Sequence, residues 1–233
     1  MKKILLIAMS FLSVLMATEL PTTITTSVKS VNLTNNSATT AHAIPKGMSG
    51  MVIHNYGSGL LAITRMLIAK GGNQATIKPY SVVPHDNLPT IKNEIEAGDR
   101  VVFGNFYDNI LVIAPNEQRY AQVTSMMNKN WIHPDLYAMY LIVHEQNKIT
   151  LDNLKAFANE NQVGLVFLVD RHEIAVVDPM SGADLVHLPL SGATQEKAQS
   201  PFYARFGQVS SGFLGISGST KFPEYYQGIK EIK

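Results

Sequence analysis

The spacing of the hydrophobic residues changes at Pro115, and this change constrains the fold more than any other feature of the chain. Before Pro115, short runs rich in β-branched residues are separated by Gly, Pro and Asn, which is typical of β-strands joined by turns. Short strands at this spacing predict a small sandwich or a partly closed barrel. The runs are a hairpin over 24–44, then Gly50–His54, Leu60–Ala69, Ala75–Val83, Asp99–Phe103 and Ile110–Ala114.

After Pro115 the apolar residues repeat with the period of an α-helix. Asn116 can cap a first helix, and Thr150 can cap a third. Between them, the sequence His133-Pro134-Asp135 indicates the start of a second helix, since proline suits the first helical position and an acidic residue suits the first turn. The run Val163–Val169 has almost no polar residues and predicts a central strand. Two further strands follow it, Glu173–Val177 and Asp184–Leu190.

These patterns predict an α+β fold. A β-rich half (residues 18–115) is followed by an α+β half (residues 116–190) with three helices and a closing β-sheet. Residues 191–233 are rich in glycine and serine, so we expect a loop-rich C-terminal tail. Near its end, Phe222, Tyr225 and Tyr226 are expected to pack the last segment onto the core. The alternative is that these aromatic residues belong to a contact surface.

The N-terminus has the layout of a secretory signal peptide. Lys2 and Lys3 precede an uncharged, mostly apolar run, Ile4–Ala17, which is shorter than the roughly 20 residues of a membrane-spanning helix. We expect residues 1–17 to be removed, so that the mature chain starts near Thr18 and is exported to the periplasm or the cell surface. The alternative is an uncleaved N-terminal anchor.

Composition excludes several classes of function. The chain has no cysteine, which rules out disulfides, cysteine-ligated zinc, iron–sulfur clusters and a thiol nucleophile. Lys and Arg number 19 against 18 Asp and Glu, so the chain lacks the basic excess of a nucleic-acid-binding protein.

No residue pattern indicates an enzyme. The seven histidines are scattered, and His133 and His144 are too far apart for a zinc-binding helix motif. No serine lies in a nucleophile motif, and no glycine-rich phosphate loop is present. We therefore predict no catalytic residue, no metal site and no cofactor. A hydrolase that uses His133 and Asp135 is the weakest of the alternatives.

Several short motifs follow one another in an order that resembles a known family. They are Lys46–Tyr56 (KGMSGMVIHNY), Leu88-Pro89, Gly98-Asp99, Leu111–Asn116 (LVIAPN), Tyr120, His133-Pro134-Asp135 and Val163-Gly164-Leu165. Over about residues 24–190 the chain resembles the N-terminal domain of the bacterial plasminogen-binding surface proteins of the PgbA/PgbB type. The resemblance implies a non-enzymatic surface protein that captures plasminogen when its lysines, above all a C-terminal one, enter kringle domains.

The resemblance directs attention to the last residues, Lys230 and Lys233. Members of the family continue into a long lysine-rich tail, whereas residues 191–233 hold few charges. A terminal lysine carries an ammonium and a free carboxylate, which a kringle pocket binds together, so we expect Lys233 to be the main ligand and Lys230 a poorer one. The tail from Lys221 is expected to be mobile enough to enter such a pocket. The alternative function is a periplasmic structural or assembly protein that makes protein–protein contacts.

Overall fold

The computed structural model describes residues 19–80, 94–192, 198–205 and 224–232. Six strands form a closed antiparallel barrel in the order β1-β2-β5-β4-β3-β6. Its interior is filled by apolar side chains that include Val28, Val52, Leu67, Val101 and Phe103. The strands are β1 (Ile24–Asn32), β2 (Ser37–Thr40), β3 (Ser49–Asn55), β4 (Leu61–Gly71), β5 (Gln74–Lys78) and β6 (Arg100–Phe103).

A second sheet has five strands in the order β11-β10-β9-β7-β8. Strand β7 is parallel to both of its neighbours, and the other pairs are antiparallel. The strands are β7 (Asn109–Ile113), β8 (Asn130–Ile132), β9 (Leu165–Val169), β10 (Glu173–Asp178) and β11 (Ala183–Pro189). Within the described residues, four helices accompany them: α1 (Glu117–Ser125), α2 (Pro134–Val143), α3 (Leu151–Asn161) and α4 (Tyr225–Ile232).

The inner strands β7, β9 and β10 of the second sheet are buried on both faces, which explains their nearly unbroken apolar sequences. In β9, Phe167 faces the core shared with the barrel, while Val166 and Leu168 face the core formed with α2, α3 and α4. Helix α1 lies on the barrel side, where Val123 is buried. The connections β7-α1-β8 and β8-α2-α3-β9 run in opposite directions along the sheet, so right-handed crossovers place their helices on opposite faces.

A buried carboxylate joins the barrel to the second sheet. Asp178, at the end of β10, is fully buried. Its Oδ2 accepts hydrogen bonds from the Ser49 backbone N–H at 2.8 Å, the Ser49 hydroxyl at 2.7 Å and the Tyr107 hydroxyl at 2.7 Å. Burial raises the pKa of Asp178 above its usual value, and the donated hydrogen bonds offset part of that rise.

The structure confirms the predicted fold class and most of the predicted elements. The β-rich region is a closed barrel, and β9 is central and fully buried. Helices α1, α2 and α3 begin after Asn116, His133 and Thr150, as their capping signals predict. In the described ranges, no helix is long and apolar enough to cross a membrane.

Four details differ from the sequence predictions. The tail expected to be loop-rich contains a fourth helix, α4, and the short strand β8 was not anticipated. Strand β7, assigned by its position to the β-rich half, pairs within the second sheet. Prediction of a mobile tail was wrong for residues 225–232, which are helical and packed on the core. The predicted signal peptide, Leu88-Pro89 and Phe222 lie outside the described residues.

Candidate functional site

Helix α4 presents the one predicted ligand residue that the structure describes. Its buried residues follow the i, i+3, i+4, i+7 spacing of an amphipathic helix: Tyr225, Gly228, Ile229 and Ile232. Lys230 lies on the opposite, exposed face between Gln227 and Glu231. It makes no hydrogen bond or ion pair with another described residue. Lys233 lies outside the described residues, although it follows the helix directly.

Tyr225 attaches α4 to the carboxyl ends of the parallel strands β7 and β9. Its hydroxyl oxygen lies 2.8 Å from the Ile113 carbonyl oxygen and 2.5 Å from the Val169 carbonyl oxygen, at the last residue of each strand. The hydroxyl can donate its single proton to either carbonyl. Burial raises the pKa of Tyr225 well above its usual value, so the phenol stays protonated and remains a donor.

The carboxyl ends of β7 and β9, where the Tyr225 hydroxyl lies, form a topological switch point of the second sheet. The connection that leaves β7 runs to β8, and the connection that leaves β9 runs the other way, to β10, so the two diverge between β7 and β9. Such a switch point, outside the carboxyl ends of the strands, is where ligands usually bind. In this protein, the aromatic ring of Tyr225 lies at that point. The chain thus fills its own crevice with α4.

Residues 198–205 reinforce the same edge of the sheet. The Tyr203 backbone N–H donates to the Ala114 carbonyl at 2.8 Å, and the Gln199 N–H donates to the Pro115 carbonyl at 2.7 Å.

On the outer side of α4, the Arg171 guanidinium lies 4.6 Å from the centre of the Tyr226 ring, in a cation–π contact. The expectation that Tyr225 and Tyr226 pack the last segment onto the core is confirmed.

His133-Pro134-Asp135 begins α2, as the sequence predicts. His133 is the N-cap, and its Nδ1 accepts a hydrogen bond from the Asp135 backbone N–H at 3.2 Å. Burial lowers the pKa of His133 despite the nearby Asp135 carboxylate, so the ring is neutral at neutral pH. In the described part of the chain, no group of three or more His, Asp or Glu side chains is arranged to hold a metal ion.

Asp135 has a partner that sequence reasoning missed. Its Oδ1 accepts from the Arg205 backbone N–H at 2.8 Å, and its Oδ2 accepts from the Arg205 Nε at 2.5 Å. Burial raises the pKa of Asp135, but the hydrogen bonds from Arg205, the charge that His133 carries once it is protonated at acidic pH and the charge of Arg205 outweigh it and hold the pKa below its usual value. No local signal could reveal this pair, because its members are seventy residues apart.

Other lysines are also accessible to a partner. Lys46 and Lys70 lie beside the β4–β5 turn, and Lys155 lies on α3. The exposed lysines among the described residues are Lys29, Lys46, Lys70, Lys78, Lys148, Lys155 and Lys230. Exposure therefore does not single out Lys230 among the lysines of the described residues.

Curated relatives of the chain come from two strains of Helicobacter pylori. Each is a plasminogen-binding protein PgbA that is 25% identical over 185 residues, which are 77% of this chain and 40% of the relative. The chain thus matches less than half the length of these relatives. No solved structure matches it significantly.

The family model described as "Plasminogen-binding protein pgbA N-terminal" matches residues 23–231. The match extends beyond residues 24–190, where the sequence motifs lie, and includes α4 with Tyr225 and Lys230. Helix α4 is therefore part of the family's domain rather than an appended tail. Because the family model matches most of the sequence, this chain belongs to the PgbA N-terminal domain family.

Proposed function

We propose that this protein is an exported, non-enzymatic binding protein that captures plasminogen through lysine side chains at its C-terminus. Lys233 is the main ligand and Lys230 a secondary one. The observation that carries the proposal is the family match through residue 231, which ends on the helix that exposes Lys230. The names of the relatives supply the partner.

The chemistry of the two lysines differs. A kringle pocket binds an ammonium and a carboxylate together, through an acidic pair, a cationic group and an aromatic trough. A C-terminal lysine offers its ammonium together with a free carboxylate, and this is the role that we propose for Lys233. Lys230 offers only the ammonium, on a helix whose backbone is held by the packing of Ile229 and Ile232. We therefore expect Lys233 to contribute more of the binding free energy than Lys230.

The experiment that tests the site measures binding of purified variants to immobilised plasminogen by surface plasmon resonance. Deletion of Lys233 should lower the affinity by at least tenfold, and Lys230→Ala should lower it less. Lys148→Ala removes another exposed lysine, away from the C-terminus, and serves as the matched control. It should leave the affinity unchanged.

A second control separates the ammonium from the carboxylate. A chain extended by one alanine after Lys233 keeps every lysine but moves the terminal carboxylate away from the Lys233 side chain. This variant should bind as weakly as the deletion. If the deletion and the extended chain both keep the affinity of the intact protein, the terminal-lysine mechanism is wrong, and the other exposed lysines become the candidates.

A second candidate function is favoured by the exposed apolar surface of α2. Leu136 and Val143 are largely exposed on a helix with few polar residues, as expected for a periplasmic structural or assembly protein that contacts other proteins. Pull-down with the tagged protein from the native envelope, without plasminogen, tests this function. Stoichiometric recovery of an envelope protein together with no affinity for plasminogen would favour it over the first.

A further inference from the structure

Helix α2 is apolar on all sides although one side of it is exposed. From Leu136 to Val143 it contains no charged residue. A helix of this composition is expected to be covered all round. Its inner face, which includes Tyr137 and Leu141, is buried against the second sheet and α3. Its outer face leaves Leu136 55% exposed and Val143 61% exposed.

The outer face of α2, defined by Leu136, Met139, Tyr140 and Val143, is one continuous stripe. The four positions have the spacing i, i+3, i+4 and i+7, so they lie on the same side of the helix. His144 extends the stripe, because its ring stacks on Tyr140 with 4.0 Å between the ring centres. Contiguous apolar surfaces of this kind mark interaction sites in soluble proteins.

The charges at the two ends of the stripe are opposite. At the N-terminal end, Arg205 is held by Asp135 through its backbone N–H and its Nε, and its terminal guanidinium nitrogens make no hydrogen bond with another described residue. The Arg205 side chain is 66% exposed. At the C-terminal end, Glu145 is exposed and makes no ion pair with a described residue.

We propose that the outer face of α2 binds the same face of a second copy of this chain, with the two helices antiparallel. A two-fold axis between Met139 and Tyr140 places Leu136 of each copy opposite Val143 of the other. The same arrangement brings Arg205 of each copy near Glu145 of the other. A parallel arrangement would bring like charges together, which favours the antiparallel dimer.

This dimer should be weak and concentration-dependent. A ten-residue helix is only about 15 Å long, so the buried area is at the lower end of specific interfaces. The proposal does not depend on the binding of plasminogen. A dimer would nevertheless carry two C-terminal helices and could bind a multivalent partner with higher avidity.

Sedimentation velocity of the purified exported chain over a wide concentration range tests the association. The intact protein should pass from monomer to dimer. Leu136→Glu should shift the midpoint to at least tenfold higher concentration with unchanged circular dichroism. Leu60→Glu changes a residue that is 64% exposed at the β3–β4 turn, and it should leave the midpoint unchanged. A monomer at every concentration would overturn the proposal.

Disulfide trapping tests the antiparallel arrangement, because the chain has no cysteine of its own. Oxidation of an equal mixture of Leu136→Cys and Val143→Cys proteins should give the mixed covalent dimer. Either protein alone should give little. Efficient trapping of the Leu136→Cys protein alone would overturn the antiparallel arrangement. Trapping of Leu60→Cys with an efficiency equal to that of the mixture would show random collision and would also contradict the proposal.

Discussion

Asp135 illustrates how one residue can serve both a helix and the tertiary structure. Its position in the first turn of α2 favours an anion because of the helix dipole. The same carboxylate accepts two hydrogen bonds from Arg205 and so holds residues 198–205 at the carboxyl edge of the second sheet. The local role could be predicted from His133-Pro134-Asp135, whereas the contact with Arg205 could not, since it depends on tertiary structure.

We predict that Asp135→Asn lowers the free energy of unfolding by about 1–2 kcal/mol at pH 7, because it weakens charge-assisted hydrogen bonds. Asp152→Asn is the matched control, since Asp152 is also in the first turn of its helix. It should cost at most about 1 kcal/mol, the effect of the helix dipole alone. Urea denaturation of the two variants and the intact protein provides the comparison.

The pH dependence of this difference follows from the pKa of Asp135, which is lower in the folded protein than its usual value. The stabilisation is complete above the unfolded pKa of about 4 and is lost as the pH falls through the folded pKa. The intact protein and Asp135→Asn should therefore become more nearly equal in stability as the pH falls below about 4. A difference that stays constant down to pH 2 would contradict the assignment.

Tyr225 is the second residue whose role we test. We predict that Tyr225→Phe lowers the free energy of unfolding by about 1–2 kcal/mol, because the Ile113 and Val169 carbonyls lose their shared donor in a buried position. Tyr226→Phe keeps the ring that contacts Arg171 and should change the stability by less than about 0.5 kcal/mol. Equal effects of the two substitutions in urea denaturation would mean that the Tyr225 hydroxyl does not fix α4.

Among the elements, those with local signals could be predicted and those that depend on tertiary packing could not. Asn116 and Thr150 cap α1 and α3 by bonding backbone N–H groups within the next three residues, so the sequence marks both helices. Helix α4 has only eight residues, includes Gly228 and follows a glycine-rich stretch, which concealed its amphipathic spacing. The three residues of β8 carry too little periodicity to identify a strand.

Neighbouring residues of α4 should respond differently to substitution. We predict that Ile229→Ala lowers the free energy of unfolding by about 2–5 kcal/mol, because Ile229 is buried in the core that the second sheet forms with α2, α3 and α4. Lys230→Ala should change it by less than about 0.5 kcal/mol, since Lys230 is exposed and alanine is a good helix former. Thermal or urea unfolding measures both. Equal destabilisation would contradict the packing of α4.

For the whole molecule, the apolar strands predicted a buried sheet but not which strands pair with which. The sequence marks Ile110–Ala114 as a strand, yet only the three-dimensional structure places β7 between β8 and β9. The same holds for Asp178, which joins the barrel to the second sheet across 129 residues of sequence. Of the candidate site, the sequence predicted Lys230 and the packing of Tyr225, but not the helix that relates them.

The proposed site at the C-terminus requires that the protein leaves the cytoplasm. We predict that the mature chain starts near Thr18, because residues 1–17 have the charge and length of a cleaved signal peptide. Mass spectrometry of the native protein from the envelope fraction should show the shortened N-terminus. Recovery of the protein only from the cytosol, with Met1 or Lys2 as its first residue, would contradict export.

The most direct test of the central claim is a titration of the intact exported protein against plasminogen with and without a free lysine analogue. The account predicts saturable binding that the analogue abolishes, because both compete for the same kringle pockets. It also predicts weaker binding as salt is raised, since exposed ion pairs are screened. No binding, or binding that the analogue leaves unchanged, would contradict lysine-dependent capture of plasminogen.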